Sequence, residues 1–170
     1  MGLGHMRRNL LIAQTLARCH LQTTVLIIAG AHEANAFALP PGVDCLTLPA
    51  LRKELDGEYQ SRCLDISLES VIALRSKTIR SVIEAFEPDV LIVDNVPRGA
   101  LGELDPTLRY LRMRRNTRCV LGLRDVLDDP AVVRREWQRA ANEDAIRDFY
   151  DVVWVYGDPA VCDPVYEYRF

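Results

Sequence analysis

The chain opens on a short glycine motif that runs directly into a helical pattern. Gly2 and Gly4 flank one leucine, and His5 follows them. A helix N-terminus carries unpaired N–H groups that favour an anion, and glycines let the backbone approach a ligand closely. A neutral imidazole at His5 suits a general base, and Arg8 suits pairing with an anionic group. The alternative stays open, because short Gly-x-Gly stretches and single histidines near a terminus are also common without a function.

Polar residues also follow the predicted strands. Ligands of open α/β sheets bind beyond the carboxyl ends of the strands. Asp94 directly follows the run VLIV and is the strongest functional candidate there. The other candidate binding residues at strand ends are Asn95, Arg98, Arg124, Asp125, Gly157 and Asp158. Asp and Asn at such places also serve as turn residues and helix caps, as we predict for Asp128 and Asp129 before Pro130.

The elements that would position these residues alternate along the chain. Apolar periodicity predicts helices over 6–18, 67–86 and 106–115, and a helical stretch, broken or continuous, over 130–149. Ser67 is a candidate cap. Unbroken or alternating apolar runs predict strands over 23–29, 43–48, 90–93, 118–123 and 152–156, and the polar segment 51–62 is expected to be a loop. This order predicts an α/β fold, a Rossmann-like doubly wound, mainly parallel sheet.

Composition narrows the class of protein. The 170 residues carry a net charge of −3, which does not favour nucleic acid as a partner, and their length predicts a single domain over 1–170. No run approaches the length of a membrane span and no signal region is visible, so we expect a cytoplasmic protein. The five cysteines are odd in number and lack a C-x-x-C pair, which argues against disulfides and zinc. Cys119 is expected in the core.

One segment is strongly basic although the whole chain has a negative net charge. Residues 107–118 (TLRYLRMRRNTR) hold five arginines. The simpler interpretation is a solvated helix face. The second interpretation is a patch that makes peripheral contact with an anionic membrane surface or a phosphorylated lipid acceptor.

Several stretches together resemble a known family. They are GLGHMRRNLLIAQTLA, EPDVLIVDNVPRGALGEL, CVLGLRDVLDDP and YDVVWVYGDPAVCDPVYEY. In this order they resemble the N-terminal half of GT-B glycosyltransferases, and most closely bacterial predicted glycosyltransferases with a GLGHxRR opening. More distantly, the chain is similar to the enzyme that completes the lipid-linked peptidoglycan precursor and to UDP-sugar hydrolases with a Gly-x-Gly-His loop.

The resemblance implies a two-domain enzyme. Its N-terminal domain would bind the acceptor, and a C-terminal domain would bind a nucleotide-sugar donor, UDP-linked, usually without a metal or other cofactor. His5 would deprotonate the acceptor, Gly2 and Gly4 would shape the loop, and Asp94 would orient His5. The surroundings of Asp94 differ from the family motif, so that assignment is the looser one.

The chain also departs from this family. Its members have a strand before the glycine loop and a donor domain, and neither is found in this sequence, so we expect a fragment that is inactive alone. Unpaired strand edges would then favour low stability or self-association. Two other functions remain open: a nucleotide-sugar hydrolase or epimerase on the same scaffold, and a non-catalytic fragment that binds a ligand or a partner protein.

Overall fold

The computed structural model describes residues 3–20, 22–31, 37–53, 59–127 and 129–168. Helices alternate with strands that pair mostly in parallel, which confirms the predicted α/β class. The chain divides into two compact units, Met1–Ile79 and Arg80–Phe170. The single domain over 1–170 stays a prediction.

The N-terminal unit is built around a parallel strand pair. Its elements are α1 (Leu3–Ala17), β1 (Val25–Ala29), β2 (Val43–Thr47), β3 (Leu51–Lys53), β4 (Tyr59–Ser61) and the start of α2 (Leu68–Phe86). The apolar stripe of α1 buries Met6, Leu10 and Ala13, as the periodicity predicts. Met6 packs with Ala29, and Ile27, Phe37 and Cys45 surround this pair. Helix α1 therefore covers one face of the β1–β2 sheet.

The segment predicted as a loop over 51–62 contains two strands instead. β3 and β4 pair antiparallel, with Leu51 opposite Ser61 and Lys53 opposite Tyr59. Leu51 is buried, 6% exposed, and this burial anchors the hairpin. Strands of three residues are too short to show an alternating pattern, so the sequence carries little signal for them.

The C-terminal unit holds a three-stranded parallel sheet. Its elements are β5 (Val90–Asp94), a short 3-10 helix (Ala100–Gly102), α3 (Asp105–Arg114), β6 (Arg118–Arg124), α4 (Pro130–Ala140), α5 (Asn142–Phe149), β7 (Val152–Tyr156) and α6 (Pro164–Tyr168). The strand order is β5-β6-β7, with Asp94 opposite Gly122 and Gly122 opposite Trp154. The parallel strands of the described chain thus lie in two sheets, β1–β2 and β5–β6–β7.

Helix boundaries follow the predicted caps. Ser67 Oγ accepts the Ser70 N–H at 3.2 Å before α2. Asp129 Oδ1 accepts the N–H groups of Ala131 and Val132 at 2.9 and 3.2 Å, which confirms the cap of α4, whereas Asp128 lies outside the described residues. The stretch 130–149 is broken at Ala141, whose φ of 50° ends α4. No helix in the described ranges is long and apolar enough to cross a bilayer.

Candidate functional site

The strand-end residues of the C-terminal unit lie along one edge of its sheet. Because β5, β6 and β7 are parallel and paired in register, Asp94, Arg124 and Tyr156 all fall at their carboxyl ends. Successive side chains of a strand point to opposite sides of the sheet, so Gly122 and Arg124, two residues apart, face the same side. Asp94 is paired with Gly122 and Tyr156 is paired with Arg124, so both face that side too. Asp94, Arg124 and Tyr156 therefore share one face around Gly122.

Asn95 Oδ1 and Arg124 Nε are among the side-chain atoms at this edge that are buried without a hydrogen-bond partner in the described part of the chain. The Nη2 group of Arg124 donates to the Leu127 carbonyl at 3.2 Å, so this guanidinium is held in place while Nε has no partner among the described residues. Buried polar atoms without partners are rare in proteins, and where they occur, a ligand or water often completes the site. Asn95 and Arg124 thus offer an acceptor and a donor at the same edge.

Gly122 and Tyr156 belong to this edge although the sequence prediction does not include them. A Cβ added at Gly122 would lie 2.1 Å from the Tyr156 hydroxyl oxygen. The missing side chain therefore makes room for the tyrosine ring to lie across β6. A glycine inside an otherwise apolar strand is the available signal, because such glycines mark a close approach of another group.

Asp125 and Gly157 are held together between the ends of β6 and β7. A Cβ on Gly157 would lie 2.3 Å from Asp125 Oδ2, so only glycine fits there without a shift. Asp125 Oδ1 accepts the Val126 N–H at 2.8 Å. Asp158 Oδ1 accepts the Ala160 N–H at 2.9 Å, which is the contact of a turn residue. These contacts favour a structural role for Asp158.

The loop after β5 has an unusual backbone. Asn95, Gly99, Leu101 and Gly102 all have φ between 51° and 79°. Left-handed backbone is costly for a leucine, and such residues concentrate at functional sites. The loop is fixed by Arg98, whose Nε donates to Asp105 at 2.9 Å and whose Nη1 donates to the Ala140 carbonyl at 2.7 Å. These contacts favour a structural role for Arg98.

Helix α6 supports the loop that follows β6, and the sequence prediction does not include it. The Tyr168 side chain is buried, and its hydroxyl accepts the Leu127 N–H at 2.8 Å. The Cys162 thiol lies 3.5 Å from the Asp125 carbonyl oxygen. With only five residues, α6 is too short for a helical periodicity to appear in the sequence.

The glycine motif lies in the N-terminal unit. Helix α1 begins at Leu3, so Gly4 and His5 belong to its first turn, and Gly2 lies outside the described residues. Apart from its chain neighbours and the backbone of its own helix, no atom of the described residues lies within 4 Å of a Cβ built on Gly4, so space does not require glycine there. Arg8 Nη2 lies 3.1 Å from His5 Nδ1. A guanidinium has only donors, so Nδ1 accepts this hydrogen bond and the neutral ring carries its proton on Nε2.

The thiol and phenol groups of the C-terminal core are held in their neutral forms. Burial and, secondarily, the Asp151 carboxylate raise the pKa of Cys119 from its usual 9.0 to about 11. Burial raises the pKa of Tyr150, whose hydroxyl donates to the Pro97 carbonyl. Cys119 is 4% exposed, which confirms its predicted place in the core. Neither group is suited to nucleophilic chemistry.

Neither metal-site geometry nor similarity to known proteins gives a further indication of function. Over the described ranges, no group of three or more His, Cys, Asp or Glu side chains is placed to hold a metal ion. Comparisons with family models, curated proteins and solved structures found no match for this chain. The residues at the β5–β6–β7 edge and in the first turns of α1 are therefore the candidates for a function.

Proposed function

We propose that this chain is the acceptor-side part of a glycosyltransferase that moves a sugar from a nucleotide-sugar donor, UDP-linked, to an acceptor hydroxyl. The observation that carries the proposal is the pair of buried atoms Asn95 Oδ1 and Arg124 Nε at the carboxyl edge of a parallel sheet, for which the described residues supply no hydrogen-bond partner. A sugar hydroxyl donates one hydrogen bond and accepts others, so it matches an amide oxygen and a guanidinium N–H. Asp94 adds a carboxylate to the same edge.

In this proposal His5 is the general base. The acceptor oxygen bonds to the anomeric carbon, and the bond from that carbon to the donor phosphate oxygen breaks. The electron pair of that bond leaves with the nucleoside diphosphate, and the acceptor proton goes to His5 Nδ1. That lone pair accepts from Arg8. Nδ1 is therefore free to take a proton only when Arg8 moves from His5 to an anion, and the donor diphosphate supplies one. Arg8 would link donor binding to proton transfer.

The same contact also supports a non-catalytic candidate. With Nδ1 accepting from Arg8, the ring presents an N–H at Nε2, and a donor at a helix N-terminus suits anion binding. In that case the chain binds a phosphorylated ligand and performs no transfer. A nucleotide-sugar hydrolase or epimerase would use the same residues, and for the hydrolase water would replace the acceptor.

A titration followed by NMR tests the sugar site. We expect N-acetylglucosamine and glucose to shift the Asn95 and Arg124 side-chain signals of the ¹⁵N-labelled chain. Arg124→Gln removes the Nε donor and is expected to weaken the binding about tenfold, the usual effect of one hydrogen bond to a charged group. Arg118→Gln at the opposite end of β6 is the matched control and should bind like the parent. Equal affinities for the two variants would contradict the proposed site.

A second measurement separates the candidate roles of His5. Long-range ¹H–¹⁵N correlation identifies the protonated ring nitrogen, and we expect Nε2 in the free chain and a change at Nδ1 when UDP-N-acetylglucosamine binds. An unchanged Nδ1 together with tight binding would favour the non-catalytic candidate. Release of free sugar from the same donor, lost in His5→Ala, would favour the hydrolase.

A further inference from the structure

A groove lies between α3 and α5 in the C-terminal unit, apart from the carboxyl edge of the sheet. Its volume is about 610 Å³, and it is lined by Arg109, Arg112, Met113, Arg115 and Phe149. The opposite side of α3 buries Thr107, Leu108 and Leu111 in the core. Helix α3 is thus held by one face and presents the guanidinium groups of Arg109 and Arg112 on the other, and Arg115 follows directly after its last residue.

The positive charge of this groove is only weakly compensated. Arg109 and Arg112 lie 3.9 and 4.0 Å from the carboxylates of Asp105 and Asp151, and both guanidinium side chains are more than half exposed. Exposed ion pairs at such distances contribute little to stability, so both guanidinium groups can readily exchange their partners. Asp105 is also the partner of Arg98. Arg115 forms no ion pair with any of the described residues.

The remaining charges near the groove leave this balance unchanged. Arg114 pairs with Glu87 at 3.3 Å and so adds no free charge. On α5, Asp144 and Asp148 share Arg147, with Asp148 at 3.5 Å. The sequence contains no Asp or Glu between Asp105 and Asp125, although the whole chain is acidic. Basic charge is therefore concentrated in the chain segment between Asp105 and Asp125.

An apolar side chain projects from the middle of the basic groove. Met113 is 76% exposed, one of the largest values among the apolar residues of the described chain. Phe149, at the end of α5, forms the apolar wall beside it. An apolar side chain flanked by arginines matches a membrane interface, where guanidinium groups lie at the phosphates and the apolar group enters the acyl boundary.

We infer that the groove between α3 and α5 binds the surface of an anionic membrane, with Arg109, Arg112 and Arg115 at the lipid phosphates and Met113 inserted between the acyl chains. Charge complementarity favours this partner over a neutral surface. A single-stranded nucleic acid would require aromatic platforms for its bases, and the lining contains one aromatic side chain, Phe149. The inference is independent of the function proposed for the sheet edge.

Co-sedimentation with lipid vesicles tests this inference. We expect the chain to bind vesicles of phosphatidylglycerol and phosphatidylcholine at low salt, to leave them at high salt, and to ignore phosphatidylcholine alone. The double variant Arg109→Gln/Arg112→Gln should lower the partition coefficient about 25-fold, since each basic residue near an anionic surface contributes about fivefold. Met113→Gln should weaken binding severalfold without changing its salt dependence. Arg139→Gln, exposed at the end of α4, is the matched control.

Thermal unfolding of each variant, followed by circular dichroism, checks that the exposed substitutions leave the fold intact. Three results would overturn the inference: no binding to the anionic vesicles, equal binding to neutral vesicles, or parent-like binding by the double variant. Displacement of the vesicles by single-stranded RNA or by inorganic phosphate at equal charge would also overturn it, because the groove would then recognise phosphate in any form.

Discussion

Strands β1 and β6 have similar sequences and different environments. Both are continuous apolar runs, VLIIA in β1 and CVLGL within β6. Every residue from Cys119 to Leu123 is buried, whereas in β1 only Ala29 is. β6 pairs with β5 and β7, and among the described strands β1 pairs with β2 alone. An apolar run therefore predicts a strand, and the number of paired edges and covered faces decides its burial.

The largest expected effect tests this comparison, with one leucine-to-alanine substitution in each strand. Leu121, at the centre of β6, is fully buried, and Leu26 in β1 is partly buried. Leu121→Ala should lower the free energy of unfolding by about 3 kcal/mol, because the rigid surroundings leave a cavity, and Leu26→Ala by about half as much.

Urea denaturation followed by circular dichroism measures both losses. Tryptophan fluorescence adds a second probe for the C-terminal unit, which contains Trp137 and Trp154. A loss for Leu26→Ala as large as that for Leu121→Ala would show that the two strands are equally enclosed, and the comparison would fail.

Replacing a glycine with alanine is expected to change the stability in opposite directions in the two units. Gly122→Ala places a methyl group 2.1 Å from the Tyr156 hydroxyl oxygen and should destabilise the fold by about 1–3 kcal/mol, the usual cost of overpacking. The Cβ of Gly4→Ala meets no atom of another described segment within 4 Å, and position 4 lies in a helix, so the substitution should stabilise α1 by up to about 1 kcal/mol. Melting temperatures of the two variants check both signs, and a loss in both would disprove the argument from space.

The smallest effects concern helix caps. Asp129 accepts two backbone N–H groups and Ser67 accepts one. Asp129→Ala should therefore cost about 1 kcal/mol and Ser67→Ala about 0.5 kcal/mol. Chemical denaturation resolves this difference when the two variants are measured side by side. The reverse order would indicate that the contact of the Ser67 hydroxyl with Ser70 Oγ, at 2.9 Å, stabilises α2 by more than the cap alone.

Much of the candidate site could be predicted from strand ends. Asp94, Asn95, Arg124 and Asp125 all follow apolar runs, and parallel pairing brings them to one edge. The functions of individual residues could not be predicted in this way. Arg98 and Asp158 follow strands as well, and their contacts are structural. A polar residue at a strand end can bind a ligand, cap a helix or form a turn, and the local sequence does not distinguish these roles.

The residues that complete the edge depend on contacts between segments far apart in the chain. Gly122 matters because Tyr156 lies across it, and α6 matters because Tyr168 holds Leu127. These pairs are separated by more than 30 positions, so no local pattern indicates them. The His5–Arg8 contact, by contrast, spans one helical turn and follows from the spacing of the two residues.

The sequence by itself determined the alternation of helices and strands, the apolar stripe of α1, the caps at Ser67 and Asp129, and the concentration of arginines in α3. These features depend on residues within a few positions of one another, which is the range of propensity, capping and amphipathic periodicity. Only the tertiary structure decided the division of the parallel strands into two sheets, the full burial of β6, and the groove between α3 and α5. Pairing edges, burial and cavities arise from segments that meet only after folding, and the chain order does not state which will meet.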